Sequence, residues 1–393
     1  MTAPTFSLCL IARNEERNLP RSLGPVRACF DEMVVVDTGS TDRTVDLARS
    51  YGAKVVRMEW SDDFAAARNV SLKAASGDWI LWLDADNHIS SADVTRIRQD
   101  LDHQGRTIFW CTEVVIPSGE RLIQKRVFPR RPDVYFAGRV HEQLVHPRDF
   151  RSLIIPVEIL HWGYADKVEA RQKGRRNLRL LEAMAAVQPP DLYLCYQLGR
   201  TLFNLRSFEE ALNWLDQAAA KSEAEESNPG LWRHAWILKA QALERLGRET
   251  DAEEVLRRLI ASSPDYGPGH YWLGRRLYDR SEWNEAAASL NRFLNLGVGD
   301  AIAGFNPRQL RFTAAMLLGR CREKAGQDAE AAEAYRAASA CLPDHLEPTL
   351  ALVHLARTAG RIEEALFYLD RCLKIRPDDR RAIELRRDIE TRV

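Results

Sequence analysis

The sequence of 393 residues contains no C-x-x-C pair, and its seven cysteines, at 9, 29, 111, 195, 321, 341 and 372, are odd in number and widely scattered. That spacing excludes the usual structural zinc and dithiol redox motifs and suits a reducing cytoplasm. An excess of charge of one sign is also missing. Lys plus Arg and Asp plus Glu each number 56, leaving a formal charge of zero, so no global basic field points to nucleic acid or to an anionic membrane. No apolar run approaches the roughly 18 residues of a membrane span. The opening MTAPTFSLCLIARNEE has no basic segment followed by a long apolar stretch, so neither a signal peptide nor a membrane span is expected. G-x-G-x-x-G and the Walker A pattern are absent too, which disfavours a dinucleotide-binding or P-loop enzyme.

What is present falls into parts with different periods, as a length beyond one ordinary core suggests. Residues 79 to 87 read WILWLDADN: an apolar run suited to a strand buried on both faces, ending in Asp84 and Asp86. Two like charges so close would partly neutralise unless a cation joined them, and a divalent metal is the obvious candidate. Upstream, FSLCLIA, MVVVD and VVRM read as further strands. A helix carrying Leu19, Leu23 and Val26 follows the first. Ser40 or Thr41 is expected to cap a helix with Val45, Ala48 and Tyr51, ended by Gly52, and Gly77 to end a third helix before WILWLD. The order β-α-β-α-β-α-β implies a parallel, doubly wound sheet, whose ligands bind at the carboxyl ends of the strands. Those ends read Arg13-Asn14-Glu15, Asp37-Thr38-Gly39-Ser40, Asp62-Asp63 and Asp84-Ala85-Asp86. Each alone could be a turn or cap; four on one rim make a site.

From residue 106 to 160 strand-like segments follow without long helices, an antiparallel extension in which Pro156 marks an edge or irregular strand. Beyond Tyr164 the pattern is helical and repetitive. Alanines at 211, 252, 286, 331 and 365 mark inter-helix packing positions, two of the intervals being 34 residues. Gly199, Gly274 and Gly319 stand twelve residues before their alanines, and Pro264, Pro343 and Pro377 twelve after. This is the tetratricopeptide pattern, here about five repeats. The expected domains are 1–164, a linking helix in 165–192, and a repeat superhelix in 193–393.

The segments LCLIARNEERNL, VVVDTGSTDRTVDLA, DDFAAARNVSL, GDWILWLDAD, GRVHEQL and HWGY together resemble family 2 glycosyltransferases of the GT-A fold. More narrowly they resemble a bacterial subgroup with tetratricopeptide repeats behind the transferase, whose relatives include peptide glycosyltransferases and lipopolysaccharide-core glucosyltransferases. The resemblance implies an α/β nucleotide-sugar-binding domain followed by an all-α superhelix. It further implies inverting transfer from a nucleotide diphosphate sugar, usually a UDP sugar such as UDP-glucose or UDP-N-acetylglucosamine, with Mn2+ or Mg2+. By that resemblance Asp86 binds the metal and Asp84, beside Ala85, reaches the ribose or a metal-bound water. His161 is a further metal or diphosphate contact. Asp37 accepts the uracil imide N–H, and Ala12, Arg13, Asn14 and Glu15 line the uridine pocket. Asp63 and Arg68 lie below the nucleotide, Arg68 as a ligand contact or as a brace for the aspartates. Glu142 in HEQ is the expected base toward the acceptor, with His141 as the other choice; a hinge salt bridge to Arg139 or another local arginine is the competing role for Glu142.

Where the subgroup commonly has an acidic residue after the second aspartate, this chain has Asn87. Two basic clusters flank the motifs: Arg121, Lys125, Arg126, Arg130 and Arg131, and then Lys167, Arg171, Lys173, Arg175, Arg176 and Arg179. Such runs are most often solvated faces, yet both adjoin the cleft where an anion would be held. The repeats are expected to recruit a peptide, protein or glycan acceptor, or else to form a homodimer. The reading from another class is a tetratricopeptide scaffold with a non-catalytic transferase domain.

Overall fold

The computed structural model describes residues 3–102, 104–162, 167–221, 228–299 and 306–391. Two compact units are present, one running through Ser207 and one from Phe208 onward.

In the first unit, strands β1 (Phe6–Ala12), β2 (Glu32–Asp37), β3 (Lys54–Arg57) and β4 (Trp79–Trp82) lie parallel in the order β3-β2-β1-β4. Their continuous apolar runs are buried because both faces are covered. Phe6, Leu8, Leu10, Trp79 and Leu81 pack to one side with Leu19 and Leu23, whereas Cys9, Val34, Ile80 and Trp82 pack to the other with Ala65. Helices α1 (Leu19–Ser22), α2 (Thr44–Ser50) and α3 (Phe64–Ala74) connect these strands. Ser40 and Thr41 do not cap α2. Asp42 Oδ1 accepts the Thr44 N–H at 2.9 Å, while Ser40 Oγ and the Thr41 N–H bond the Asn14 backbone N–H and side-chain oxygen at 3.0 and 2.8 Å. The two hydroxyl residues are thus spent on joining the β1 and β2 rims. Gly52 does sit in the left-handed region, with φ 87°. Gly77 serves a different need, since a Cβ there would stand 2.3 Å from Ser7 Oγ.

Beyond β4 come β5 (Asn87–His88), α4 (Ser91–Asp100), β6 (Thr107–Val115), β7 (Arg121–Pro129), the separate pair β8 (Tyr135–Ala137) and β9 (Gln143–Val145), and β10 (Arg151–His161). The large sheet reads β3-β2-β1-β4-β7-β6-β10-β5. β7 is antiparallel to β4 and β6, as expected for an antiparallel extension, but β10 lies parallel to β6. The chain leaves β7, makes the β8–β9 hairpin, and returns on the far side of β6 in the same sense. Pro156 falls in a register shift between Ile154 and Glu158, on a strand whose outer neighbour pairs only at Leu160 and His161, so its missing N–H costs no ladder bond. Helices α5 (Lys167–Val187) and α6 (Leu192–Asn204) complete this unit. By packing, the first compact unit continues to Ser207, with Lys173, Arg179 and Tyr193 bonded back to Asp86, Asp62 and His141.

In the second unit Phe208–Ala219 is followed by helix pairs Pro229–Arg245 with Glu249–Ser262, Gly267–Asp279 with Trp283–Leu296, Pro307–Lys324 with Asp328–Cys341, and Glu347–Thr358 with Ile362–Ile375, and then by Arg380–Glu390. The repeat alanines 211, 252, 286, 331 and 365 are all fully buried. A Cβ at Gly274 would stand 2.7 Å from Leu290, and one at Gly319 2.4 Å from Tyr335, so the small positions are where paired helices touch. The two long repeat intervals contain 222–227 and 300–305, outside the described residues. Among the described residues no helix is long and apolar enough to cross a membrane.

Candidate active site

β4 is held between β1 and β7, so its carboxyl end delivers Asp84 and Asp86 to the rim of the sheet. A tight turn follows, with the Asn87 N–H donating to Asp84 O at 3.0 Å and the Asp84 N–H to Asn87 Oδ1 at 2.9 Å. β10 ends beside this turn. Its pairing with β5 sets His161 against Asn87, and Nδ1 of His161 lies 3.0 Å from Asn87 Nδ2 and 3.3 Å from Asp86 Oδ1. Asn87 is therefore a brace for His161 and for the aspartate turn. From α5, Lys173 places Nζ 3.4 Å from Asp86 Oδ2. Burial of Asp86 would raise its pKa, but the hydrogen bond and charge of His161 and the ammonium of Lys173 bring it down to about 2. The same carboxylate raises the pKa of His161 against the opposing effect of burial.

Asp84 belongs to a second, deeper network. Its oxygens lie 3.5 Å from Arg68 and 3.4 Å from Arg126, and these arginines in turn pair with Glu142 and Glu113. The Arg68 guanidinium sits 3.2 Å from the centre of the Trp82 ring. Arg126 is 1% exposed, so this member of the first basic cluster is an internal counter-ion and not a solvated charge. Glu113, an acid inside the apolar strand TIFWCTEVV, holds its far end. Buried charges are tolerated when paired in this way. Arg68 pairs with both Asp84 and Glu142, a geometry compatible with bracing the aspartates.

The HEQ segment lies next to this network. Glu142 is buried against Arg68; burial pushes its carboxyl pKa up, with the Arg68 charge opposing. His141 adopts φ 52°, and its carbonyl accepts from the Tyr193 hydroxyl at 2.9 Å. Its imidazole is buried and has its pKa lowered to about 4, by burial first and then by Arg200 and Arg68. It is a neutral ring at pH 7, and among the described residues its Nε2 has no hydrogen-bond partner.

The remaining rim residues are placed as follows. Ala12 is buried and its carbonyl accepts the Thr38 N–H at 3.0 Å. Arg13 is exposed, and Asn14, at φ 57°, ties the β1 and β2 loops together. The Glu15 N–H donates to Thr44 Oγ1 at 2.7 Å. Asp37 is buried and accepts the Ser40 N–H at 3.2 Å, with acceptor capacity to spare on a carboxylate. Asp63 caps α3 by accepting the Ala66 N–H at 2.8 Å. Ala85 is buried within the aspartate turn. The structure therefore groups Asp84, Asp86, Asn87, His161 and Lys173, with Arg68, Arg126, Glu113, Glu142 and His141 contiguous through Asp84. Asn87 is visible in the sequence as the residue after the aspartate pair, and Arg126 and Lys173 only as members of basic clusters beside the cleft, whereas Glu113 carries no mark in those motifs. Among the described residues no three His, Cys, Asp or Glu side chains converge on one point. Asp86 nonetheless suits a hard divalent ion, because Mg2+ is commonly held by one or two carboxylates with water and substrate phosphate completing its shell; the His161 imidazole beside it is a softer nitrogen ligand than that set.

Residues 7–152 match the family model described as glycosyl transferase family 2, and residues 196–267, 271–345 and 350–379 match tetratricopeptide repeat models. The chain joins a family 2 glycosyltransferase domain to tetratricopeptide repeats. It is 35% identical over 269 residues to a TPR repeat-containing protein of Synechococcus elongatus, covering 65% of this chain and 65% of that protein. It is 29% identical over 230 residues to the SPbeta prophage-derived glycosyltransferase SunS of Bacillus subtilis, covering 55% of this chain and 53% of that one. The matches thus span less than two thirds of the length of these curated relatives. Among solved structures, YrrB, titled a TPR protein with an unusual peptide-binding site, is 18% identical with a TM-score of 0.41 and covers 53% of this chain and 99% of its own.

Proposed function

We propose that this protein is an inverting glycosyltransferase moving a sugar from a UDP sugar, such as UDP-glucose or UDP-N-acetylglucosamine, to a peptide, protein or glycan acceptor. The observation that carries the reading is the grouping of Asp84, Asp86 and His161 at the carboxyl edge of the parallel strands, beside the buried HEQ segment. Asp86 and His161 would hold Mn2+ or Mg2+, which as a Lewis acid neutralises charge on a departing diphosphate. Asp84, fixed by two arginines, is oriented toward the ribose or a metal-bound water. Asp37, Ala12, Arg13, Asn14 and Glu15 form the uridine end, with Asp63 shaping the floor as the cap of α3. The acceptor hydroxyl or thiol gives its proton to Glu142 as it attacks the anomeric carbon, and the bond from that carbon to the diphosphate breaks.

His141 is the second choice of base, favoured by its neutral imidazole and its unpartnered Nε2. All seven cysteines are free, in keeping with a cytoplasmic setting. The repeats recruit the acceptor in this reading, and a homodimer formed through them is the other use of that surface. A scaffold with a silent transferase domain would show no turnover. UDP release from a panel of nucleotide sugars, with lysate as acceptor source and with Mn2+, Mg2+ or a chelator present, separates the two. Release from no donor in any metal condition would refute the catalytic reading.

A further inference from the structure

The four carboxylates of the site, Asp84, Asp86, Glu113 and Glu142, are matched by three permanent cations, Arg68, Arg126 and Lys173. The two arginines are locked inside the protein and cannot follow a substrate. Lys173 is different: its side chain is 25% exposed, it comes from a helix 87 positions along the chain, and it reaches the carboxylate proposed to hold the metal. It is also the first of a stripe spaced by three on α5. Arg176 lies 5.0 Å from the centre of the Phe64 ring, and Arg179 pairs with Asp62 at 2.9 Å. This face of α5 therefore runs along the carboxyl ends of β4 and β3, where an anionic diphosphate would lie.

We propose that Lys173 is a mobile counter-ion of the transfer site: it neutralises Asp86 in the metal-free protein and turns to the donor diphosphate when a divalent cation takes its place. This rests on the reading that Asp86 holds the metal. A cation and an ammonium competing for one carboxylate must oppose each other's binding, whereas an ammonium beside a diphosphate supports nucleotide binding through charge-assisted hydrogen bonds. Lysine suits both positions because its flexible stem carries a compact charge.

The test compares the full chain with its Lys173→Met, Lys173→Arg and Asp86→Ala variants by calorimetric titration. Mn2+ alone should bind Lys173→Met about five- to tenfold more tightly than the parent. UDP in saturating Mn2+ should bind that variant about tenfold more weakly, while uridine, which lacks phosphate, should bind equally. Lys173→Arg, which keeps the charge, should recover most of the UDP affinity. Unchanged or weaker Mn2+ binding by Lys173→Met, with binding lost in Asp86→Ala, overturns the lysine role and leaves the metal site standing. Equal Mn2+ binding by the parent and Asp86→Ala overturns both.

Discussion

Replacing Glu142 by Gln separates chemistry from architecture at the HEQ segment. The side chain has two roles available, as base toward the acceptor and as partner of the buried Arg68. Loss of a positioned base lowers turnover by about a hundredfold or more, which at about 1.4 kcal/mol per factor of ten is roughly 2.7 kcal/mol or more in the barrier. Loss of the ion pair acts on stability. Arg68 keeps Asp84 at 3.5 Å, and Gln keeps an acceptor oxygen, so the cost falls to roughly 1–3 kcal/mol and stays below that of a fully orphaned buried charge. A unit of this size loses about 2–4 °C per kcal/mol, so the variant should melt up to about 12 °C lower and still be folded at 25 °C. Under those conditions UDP release at saturating donor should fall at least a hundredfold, with donor KM within about threefold of the parent. The pH profile adds an independent readout. A base works ionised, so kcat/KM of the parent should rise with pH through the carboxyl pKa of Glu142, which burial displaces upward against the opposing Arg68 charge. That acid limb should vanish in Glu142→Gln. A loss below tenfold, or an acid limb that persists unchanged, would refute the base assignment and move it to His141.

Arg126→Met would strand Glu113, which is 5% exposed, and should cost about 3–5 kcal/mol in thermal unfolding; adding Glu113→Gln should recover more than half, and a single variant melting within two degrees of the parent, on the order of 0.5–1 kcal/mol, would refute the pairing argument. Glu32 accepts from Ser7, Ser76 and Gly77, and although burial raises its pKa, these bonds bring it below the ordinary carboxylate value. Its contribution is therefore present above the unfolded pKa and is lost as pH falls through the lower folded pKa, so Glu32→Gln should flatten the acid limb of a melting-temperature profile and an unaltered limb would count against it. Removing residues 306–393, which takes away whole helices from Pro307–Lys324 onward, should leave slow donor hydrolysis intact while raising acceptor KM, because stacked repeats can survive loss of terminal units; an unchanged acceptor KM in a folded truncation rules out the terminal repeats as the recruiting surface.

The parts of this protein legible in its sequence are those written as local periods. β1, β2 and β4 announce themselves as unbroken apolar runs because both of their faces are covered, and the repeat glycines and alanines recur because paired helices touch there. Asp84 and Asp86 stand out since they end such a run. Ser40 and Thr41 suit a helix cap in the sequence but join two loops in the fold, because the same residue types serve a cap and a loop-to-loop hydrogen bond and the local pattern does not tell them apart. The parallel pairing of β10 with β6 depends on which side of the sheet the chain re-enters, a choice no strand carries in its own residues.

The counter-ions were hidden for a related reason. Arg126 reads as one more cation in a charge run, but it stands at the register shift of β7 on β6, and its side chain turns inward to Asp84 and Glu113. The visible sign was the partner: a lone acid inside TIFWCTEVV, which a buried strand can hold only if a cation reaches it. Lys173 has no such local sign, because its contact with Asp86 spans 87 positions and exists only once α5 has docked on its own unit. Strand ends thus reveal where a charge-handling site lies, and tertiary packing decides which cations serve it. That division is why the aspartates stand out in the sequence as a pair, while Lys173 stands there only as one of six cations in a cluster beside the cleft.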